Sequence, residues 1–155
     1  GLSLGVSVFD DNRLELYYAA GVTPALNNLS LSSSIATLRY IHFIKSKMYI
    51  NAGVGMQTIS MTKTSDVHDD ITTEATDLVA DLAIGSKVGW RPLGLDIRLD
   101  WLGGIVQLSE QSTNYPEEMA DGEAYNDSLE EQIGELEELR QFQGYFLRAN
   151  ISYMF

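Results

Sequence analysis

The chain has 155 residues, no cysteine and a formal net charge of −12. That length is one domain's worth of material, and without thiols it offers neither a disulfide framework nor a thiolate metal site. The acidic balance argues against nucleic acid as a partner, because phosphates must be met by Lys and Arg. The acid is concentrated in residues 66–74 and 110–138, which reads as loop charge. No stretch supplies the ~20 apolar residues of a transmembrane helix. The near-zero mean hydropathy is shared by soluble proteins and by barrels in lipid, so periodicity has to decide.

Period-two alternation recurs along nearly the whole chain. Leu2, Leu4, Val6 and Val8 alternate with Ser3, Gly5 and Ser7, and Asp10-Asp11-Asn12 is a turn cluster. Leu14, Leu16, Tyr18 and Ala20 then alternate with Arg13, Glu15, Tyr17 and Ala19. After a loop around Thr23-Pro24 a third strand runs over about 29–44. Its alternation slips near Ser32-Ser33-Ser34, where a bulge is expected, because strict register would put Arg39 on the apolar face. In the fourth strand Met48, Ile50, Ala52, Val54 and Met56 oppose Lys47, Tyr49, Asn51, Gly53, Gly55 and Gln57. Residues 62–76 read as a polar loop. The fifth strand sets Leu78, Ala80, Leu82, Ile84 and Val88 opposite Asp77, Asp81, Gly85 and Lys87. A turn at Arg91-Pro92 leads to a sixth, with Leu93, Leu95, Ile97, Leu99 and Trp101 against Gly94, Asp96, Arg98 and Asp100.

A long acidic loop, about 109–141, follows. Within it 128–140 suggests a short helix: Asp127 or Ser128 can cap it, and Leu129, Ile133, Leu136 and either Leu139 or Arg140 lie along one stripe. The last strand alternates Tyr145, Leu147, Ala149, Ile151, Tyr153 and Phe155 with Gly144, Phe146, Arg148, Asn150 and Ser152.

Two features favour a membrane barrel over a soluble sandwich. The polar face carries glycine, tyrosine and isolated charges of both signs, as suits a narrow polar lumen. Glu15, Arg39, Asp81, Lys87, Asp96, Arg98, Asp100 and Arg148 are the expected lumen charge network. The connections also alternate short and long, as in barrels with tight turns on one side of a membrane and long loops on the other. Phe9, Trp90, Tyr153 and Phe155 then fall at the short-turn end as an aromatic girdle.

Ile151-Ser152-Tyr153-Met154-Phe155 resembles the C-terminal β-signal of outer-membrane proteins, with Ile151, Tyr153 and Phe155 as its apolar positions. Asn51-Ala52-Gly53-Val54-Gly55, and Val88-Gly89-Trp90 through Leu95-Asp96-Ile97-Arg98-Leu99, are similar to segments of the small OmpA/OmpX-like outer-membrane β-barrel family. The resemblance is diffuse but spans most of the chain. It implies an antiparallel up-and-down transmembrane barrel over residues 1–155, in a Gram-negative outer membrane with its C-terminus on the periplasmic side. Lipid, lipopolysaccharide and the barrel-assembly machinery would be its partners. Counted back from Phe155, the seven strands take the places of strands two to eight, and single-chain bacterial barrels have an even number. An eighth strand, or a partner protein, is therefore expected at the Gly1 edge; Gly1-Leu2-Ser3-Leu4 has no secretory character, so any leader would lie outside this sequence.

No catalytic constellation stands out, and no cofactor is expected. His42 and His68 lack a Ser or carboxylate at triad spacing. Asp66, Asp69, Asp70 and Glu74 could offer oxygens to calcium or magnesium but lack EF-hand spacing. Gly53, Gly55, Gly103 and Gly104 read as packing glycines. The expectation is a non-enzymatic barrel with a closed polar lumen, a structural or interaction component. A small-solute or ion pore is the alternative, and a membrane-embedded enzyme the third.

Overall fold

The computed structural model describes residues 2–9, 11–26, 29–44, 47–64, 70–89, 95–116, 123–145 and 147–154. Alternation becomes strand almost throughout. The elements are β1 (Leu2–Phe9), β2 (Asn12–Leu26), β3 (Leu29–Phe43), β4 (Met48–Lys63), β5 (Ile71–Gly89), β6 (Leu95–Asn114), α1 (Glu123–Gln141), β7 (Phe142–Tyr145) and β8 (Arg148–Met154). Strands β1 to β6 pair with their sequence neighbours, all antiparallel, in an up-and-down meander. The last span is broken: β7 and β8 both lie on the far edge of β6, with Asp100↔Arg148 followed by Gly103↔Tyr145. The interruption faces a bulge at Trp101 of β6.

The sheet curls until β8 returns to β1, from Leu2↔Ile151 to Gly5↔Met154, and this pairing is parallel. With seven spans the first and last run the same way, so only a parallel ladder can join them. The seam has four register pairs, whereas β4 and β5 stay paired from Met48↔Ser86 to Lys63↔Ile71. Beyond the seam no ladder joins residues 19–26 of β2 to β7 among the described residues.

Odd positions of β2 to β5 face inward: Glu15, Tyr17, Thr37, Arg39, Tyr49, Asn51, Gln57, Asp77 and Asp81 are buried. Even positions face outward, where Leu16, Leu38, Val54 and Leu82 are 61, 49, 55 and 51 % exposed. The bulge expected at Ser32-Ser34 is absent. β3 holds unbroken register with β4 from Leu29↔Lys63 to Phe43↔Tyr49, and Arg39 is interior in phase with Ile35, Thr37 and Ile41. Register shifts occur at Ser7/Phe9 of β1, at Thr23/Leu26 of β2 and three times along β6, where Trp101, Leu108 and Gln111 are extra residues opposite β5. The first of them re-phases β6, so that Asp100 and Ile105 are both buried.

What changes near Ser34 is polarity. Toward the helix end the inward positions become apolar, with Ile59, Met61, Ile71 and Ala75 buried. The outward ones there are Ser30, Ser32, Ser60, Thr62, Thr72 and Glu74. The expected loops at this end are largely strand. β2 and β3 continue to Leu26↔Leu29, β4 and β5 to Lys63↔Ile71, and β6 to Asn114. Threonine suits a pleated ladder, and here hydroxyls pair across strands, Thr58 with Thr76 at 3.0 Å and Thr62 with Thr72 at 3.1 Å.

The helix is longer than its sequence stripe and starts earlier. Its buried face (Tyr125, Leu129, Gln132, Leu136, Arg140) follows helical spacing. Leu136 packs on Ile59 and Ala75, with Leu31 and Tyr115 at the edge, and Leu129 and Tyr125 pack on Ile71. α1 thus fills the mouth of the curled sheet with a small apolar core. No described helix is long and apolar enough to cross a membrane, which says nothing of crossing by strands.

Candidate functional site: the ion-paired interior and its helical plug

Alternation delivers charges from five strands into one interior. Near the short-turn end Asp96 lies between two cations, Arg13 and Lys87, the latter at 2.7 Å. Arg13 also stands over the Phe43 ring at 4.8 Å. Next along the axis Glu15 pairs with Arg98. Beside them runs a longer chain: Arg39 pairs with Asp81, and Arg148 reaches both Asp81 (3.1 Å) and Asp100 (2.7 Å). Asp100 also accepts hydrogen bonds from Tyr49 Oη at 2.5 Å and from Asn150 Nδ2 at 2.9 Å. The Arg39 guanidinium lies 3.2 Å above the Tyr17 ring centroid. Removing one partner of such a buried pair strands the other charge, at about 3–5 kcal/mol.

Glycines make room for these large side chains. A Cβ on Gly53 would come within 2.8 Å of Arg39 Cγ, and one on Gly85 within 2.6 Å of Tyr49 Oη. Each sits directly across a ladder from the side chain it accommodates, Gly53↔Arg39 and Tyr49↔Gly85. These glycines are steric complements to the charge network.

The helix is latched from above. Arg140 donates from Nε and Nη2 to the two oxygens of Asp77, at 2.9 and 2.6 Å, and from Nη2 to Glu110 at 2.9 Å. Those hydrogen bonds, Asp77's first, hold the Arg140 pKa above its ordinary value, whereas burial alone would lower it. Burial pushes the neighbouring Tyr115 hydroxyl upward. Gln132 Nε2 donates to the backbone oxygens of Met61 (2.9 Å) and Ile71 (3.3 Å), beyond their own ladder. Below, Gln57 donates to Gln143 at 2.9 Å, tying β4 to the broken last span.

All eight residues of the charge network expected from sequence lie in this interior, and each is ion-paired. Sequence reading omitted Arg13, which shares the parity of Glu15, and the Asp77–Arg140 latch, whose arginine lies four residues beyond Leu136. Counting ion-paired side chains below the latch, Arg13, Arg39, Lys87, Arg98 and Arg148 stand against Glu15, Asp81, Asp96 and Asp100, +5 and −4, in a chain of −12 overall. The acid excess lies elsewhere; Asp127, Glu130, Glu131, Glu135, Glu137 and Glu138 of α1 are exposed.

Of the expected girdle, Tyr153 is exposed on β8 opposite Leu4 and Leu95, and Ile151 is exposed opposite Leu2 and Ile97. Phe9 ends β1, and its side chain lies outside the described residues, as do Trp90 and Phe155. Further aromatics on the outer face among the described residues are Tyr18, Tyr40, which donates to Asn12 Oδ1 at 2.7 Å, and Trp101, which donates to Ser86 Oγ at 3.1 Å. His42 is exposed there, its Nδ1 2.8 Å from the same Asn12 oxygen. His68, Asp66 and Asp69 lie outside the described residues, while Asp70 and Glu74 are exposed. No family model matches the chain, and no curated protein or solved structure is detectably similar to it.

Proposed function

We propose that this chain is a transmembrane β-barrel of a bacterial outer membrane, its interior closed by ion pairs and a helical plug, acting as a structural or interaction component. The observation that carries this is the outward belt. On β2 to β5 the outward positions from Leu14 to Val22, Ala36 to Ile44, Met48 to Met56 and Leu78 to Val88 are mostly apolar and exposed. Each segment is close to the 9–11 residues that a tilted strand needs to cross a bilayer. Above the belt the outward face turns to Ser, Thr and Glu, as a wall leaving lipid would. A monomer in water rarely shows apolar patches beyond a few hundred Å².

The nearly balanced interior and the seated helix favour a closed lumen over a pore. Side chains suffice to fill a barrel of about eight strands. Membership of the OmpA/OmpX-like group, the assembly machinery and lipopolysaccharide as partners, and a periplasmic short-turn end belong to the same proposal. So does an eighth antiparallel strand between β8 and β1, which would replace the parallel seam with two antiparallel ladders. The test is refolding into phosphatidylcholine vesicles. The folded chain should migrate differently on a gel before and after boiling, and should give no steady conductance in a planar bilayer. Steady channels would overturn the closed interior; a stable fold in plain buffer without lipid or detergent would overturn the membrane reading.

A further inference from the structure

Buried hydrogen-bonding groups need partners, and one small cluster in the belt interior lacks them. Tyr17, Thr37 and Arg39 are each at most 1 % exposed. Tyr17 Oη, Thr37 Oγ1 and Arg39 Nε have no hydrogen-bond partner among the described residues. The three residues are neighbours. Tyr17 and Thr37 face each other across the β2–β3 ladder, and Arg39 is the next inward residue on β3, its guanidinium 3.2 Å above the Tyr17 ring centroid. A second guanidinium, that of Arg148, lies 5.2 Å from the same centroid. All three orphaned groups are donors. Unpartnered acceptors in the belt interior, Asn51 Oδ1 and Asn150 Oδ1, stand apart on β4 and β8, in amides whose nitrogens donate to Asp100.

What fits such a cluster accepts several hydrogen bonds and donates none. A water molecule would bring two more protons to a place already rich in them. An anion brings none, and its charge is the one the interior lacks, since +5 stands against −4 below the latch. Space selects its size. A Cβ on Gly53 would come within 2.8 Å of Arg39 Cγ, and one on Gly55 within 2.6 Å of Thr37 Cα. Packing this close, which refuses a methyl group, leaves a polyatomic oxyanion no room.

We infer that Tyr17 Oη, Thr37 Oγ1 and Arg39 Nε hold one monatomic, monovalent anion of chloride size inside the barrel. The inference rests on the closed interior proposed above. It goes beyond that reading by making the ion a component of the fold: with one negative charge added, the interior below the latch is neutral.

The test is urea unfolding from phosphatidylcholine vesicles at constant ionic strength, with gluconate, too large for the site, replacing chloride. Raising chloride from about 1 to about 100 mM should lower the unfolding constant roughly tenfold, the linkage expected of a site half-filled at about 10 mM. Thr37→Val and Tyr17→Phe each delete one donor at nearly constant shape, and each should cut the effect to about twofold. In gluconate alone both variants should be at least as stable as the unsubstituted barrel, because they remove a buried donor with nothing to accept its proton. Thr62→Val, at a hydroxyl outside the interior, should retain the full chloride dependence. Equal unfolding constants at both chloride concentrations in the unsubstituted barrel would overturn the anion and assign the donors to water. Full dependence retained in both interior variants would place the ion elsewhere and overturn the site. Planar-bilayer conductance separates the two readings: steady channels overturn the closed interior, whereas lost chloride dependence without channels overturns the ion alone. Gel mobility before and after boiling verifies that each variant has folded.

Discussion

The belt and the cup above it are built from the same strands in the same register, yet their polarity is opposite. On β3, Arg39 faces in and Leu38 out at belt level; a few residues earlier Leu31 faces in and Ser32 out. On β5, Asp81 is inside and Leu82 outside, whereas at the other end Ile71 is inside and Thr72 outside. Backbone pleat decides which side a residue takes, and the surroundings of each side decide what it should be. At belt level the interior holds ion pairs and the exterior is apolar. In the cup an amphipathic helix supplies an ordinary hydrophobic core and the exterior is hydroxylated.

The belt interior should be the most sensitive place to break this contrast. Arg98→Leu leaves Glu15 buried without its ion-pair partner and should cost about 3–5 kcal/mol in urea unfolding from vesicles. Adding Glu15→Gln should restore much of that loss, since the stranded charge causes the greater part of it. In the cup, Leu136→Ala should cost about 2–5 kcal/mol, but locally. Hydrogen exchange should rise in α1 while β3 and β4 stay protected.

On the outer face the two levels should part most clearly with one substitution. Leu38→Arg should destabilise by about 2–4 kcal/mol as a charge on the lipid face. Ser32→Arg, on the same strand and the same side, should stay within about ±0.5 kcal/mol. The seam offers a covalent test. Leu4→Cys with Tyr153→Cys should form a disulfide readily where β1 and β8 are neighbours as in Leu4↔Tyr153, and should fail to form one where a further strand lies between them.

The smallest effect concerns pH. Arg140 is raised above its ordinary pKa in the folded state, so its contribution is fully present below that ordinary value and would be lost only above the folded one. Tyr115, raised as well, remains neutral below its ordinary value of about 10. Raising pH from about 7 to about 9.5, below both ordinary values, should therefore leave helix docking unchanged, as read by proteolysis of α1.

Strand positions and facing were legible because period two survives single exceptions. The interior charges followed from parity alone, which is why Arg39 needed no bulge. What misled at residues 29–34 was the assumption that one face keeps one polarity along a whole strand. The same assumption turned residues 62–76 into a loop, although threonine-rich hairpins are good strands. The β6 bulges carry no local composition signal; they appear only as offsets against β5. The parallel closure joins residues at opposite ends of the chain and depends on the count of spans, which no local pattern encodes. For the helix, Leu129 and Leu136 marked the stripe, but its burial required the apolar cup that the loop reading had removed.

The most direct measurement uses the absence of native cysteine. Single cysteines at outward positions 32, 38, 54, 60, 72 and 82 can each carry a spin label in the vesicle-refolded chain. Labels at 38, 54 and 82 should relax with lipid-soluble oxygen and ignore a water-soluble nickel chelate, while those at 32, 60 and 72 should do the reverse. Equal accessibility to the chelate at all six positions would contradict a lipid-facing belt below a water-facing cup.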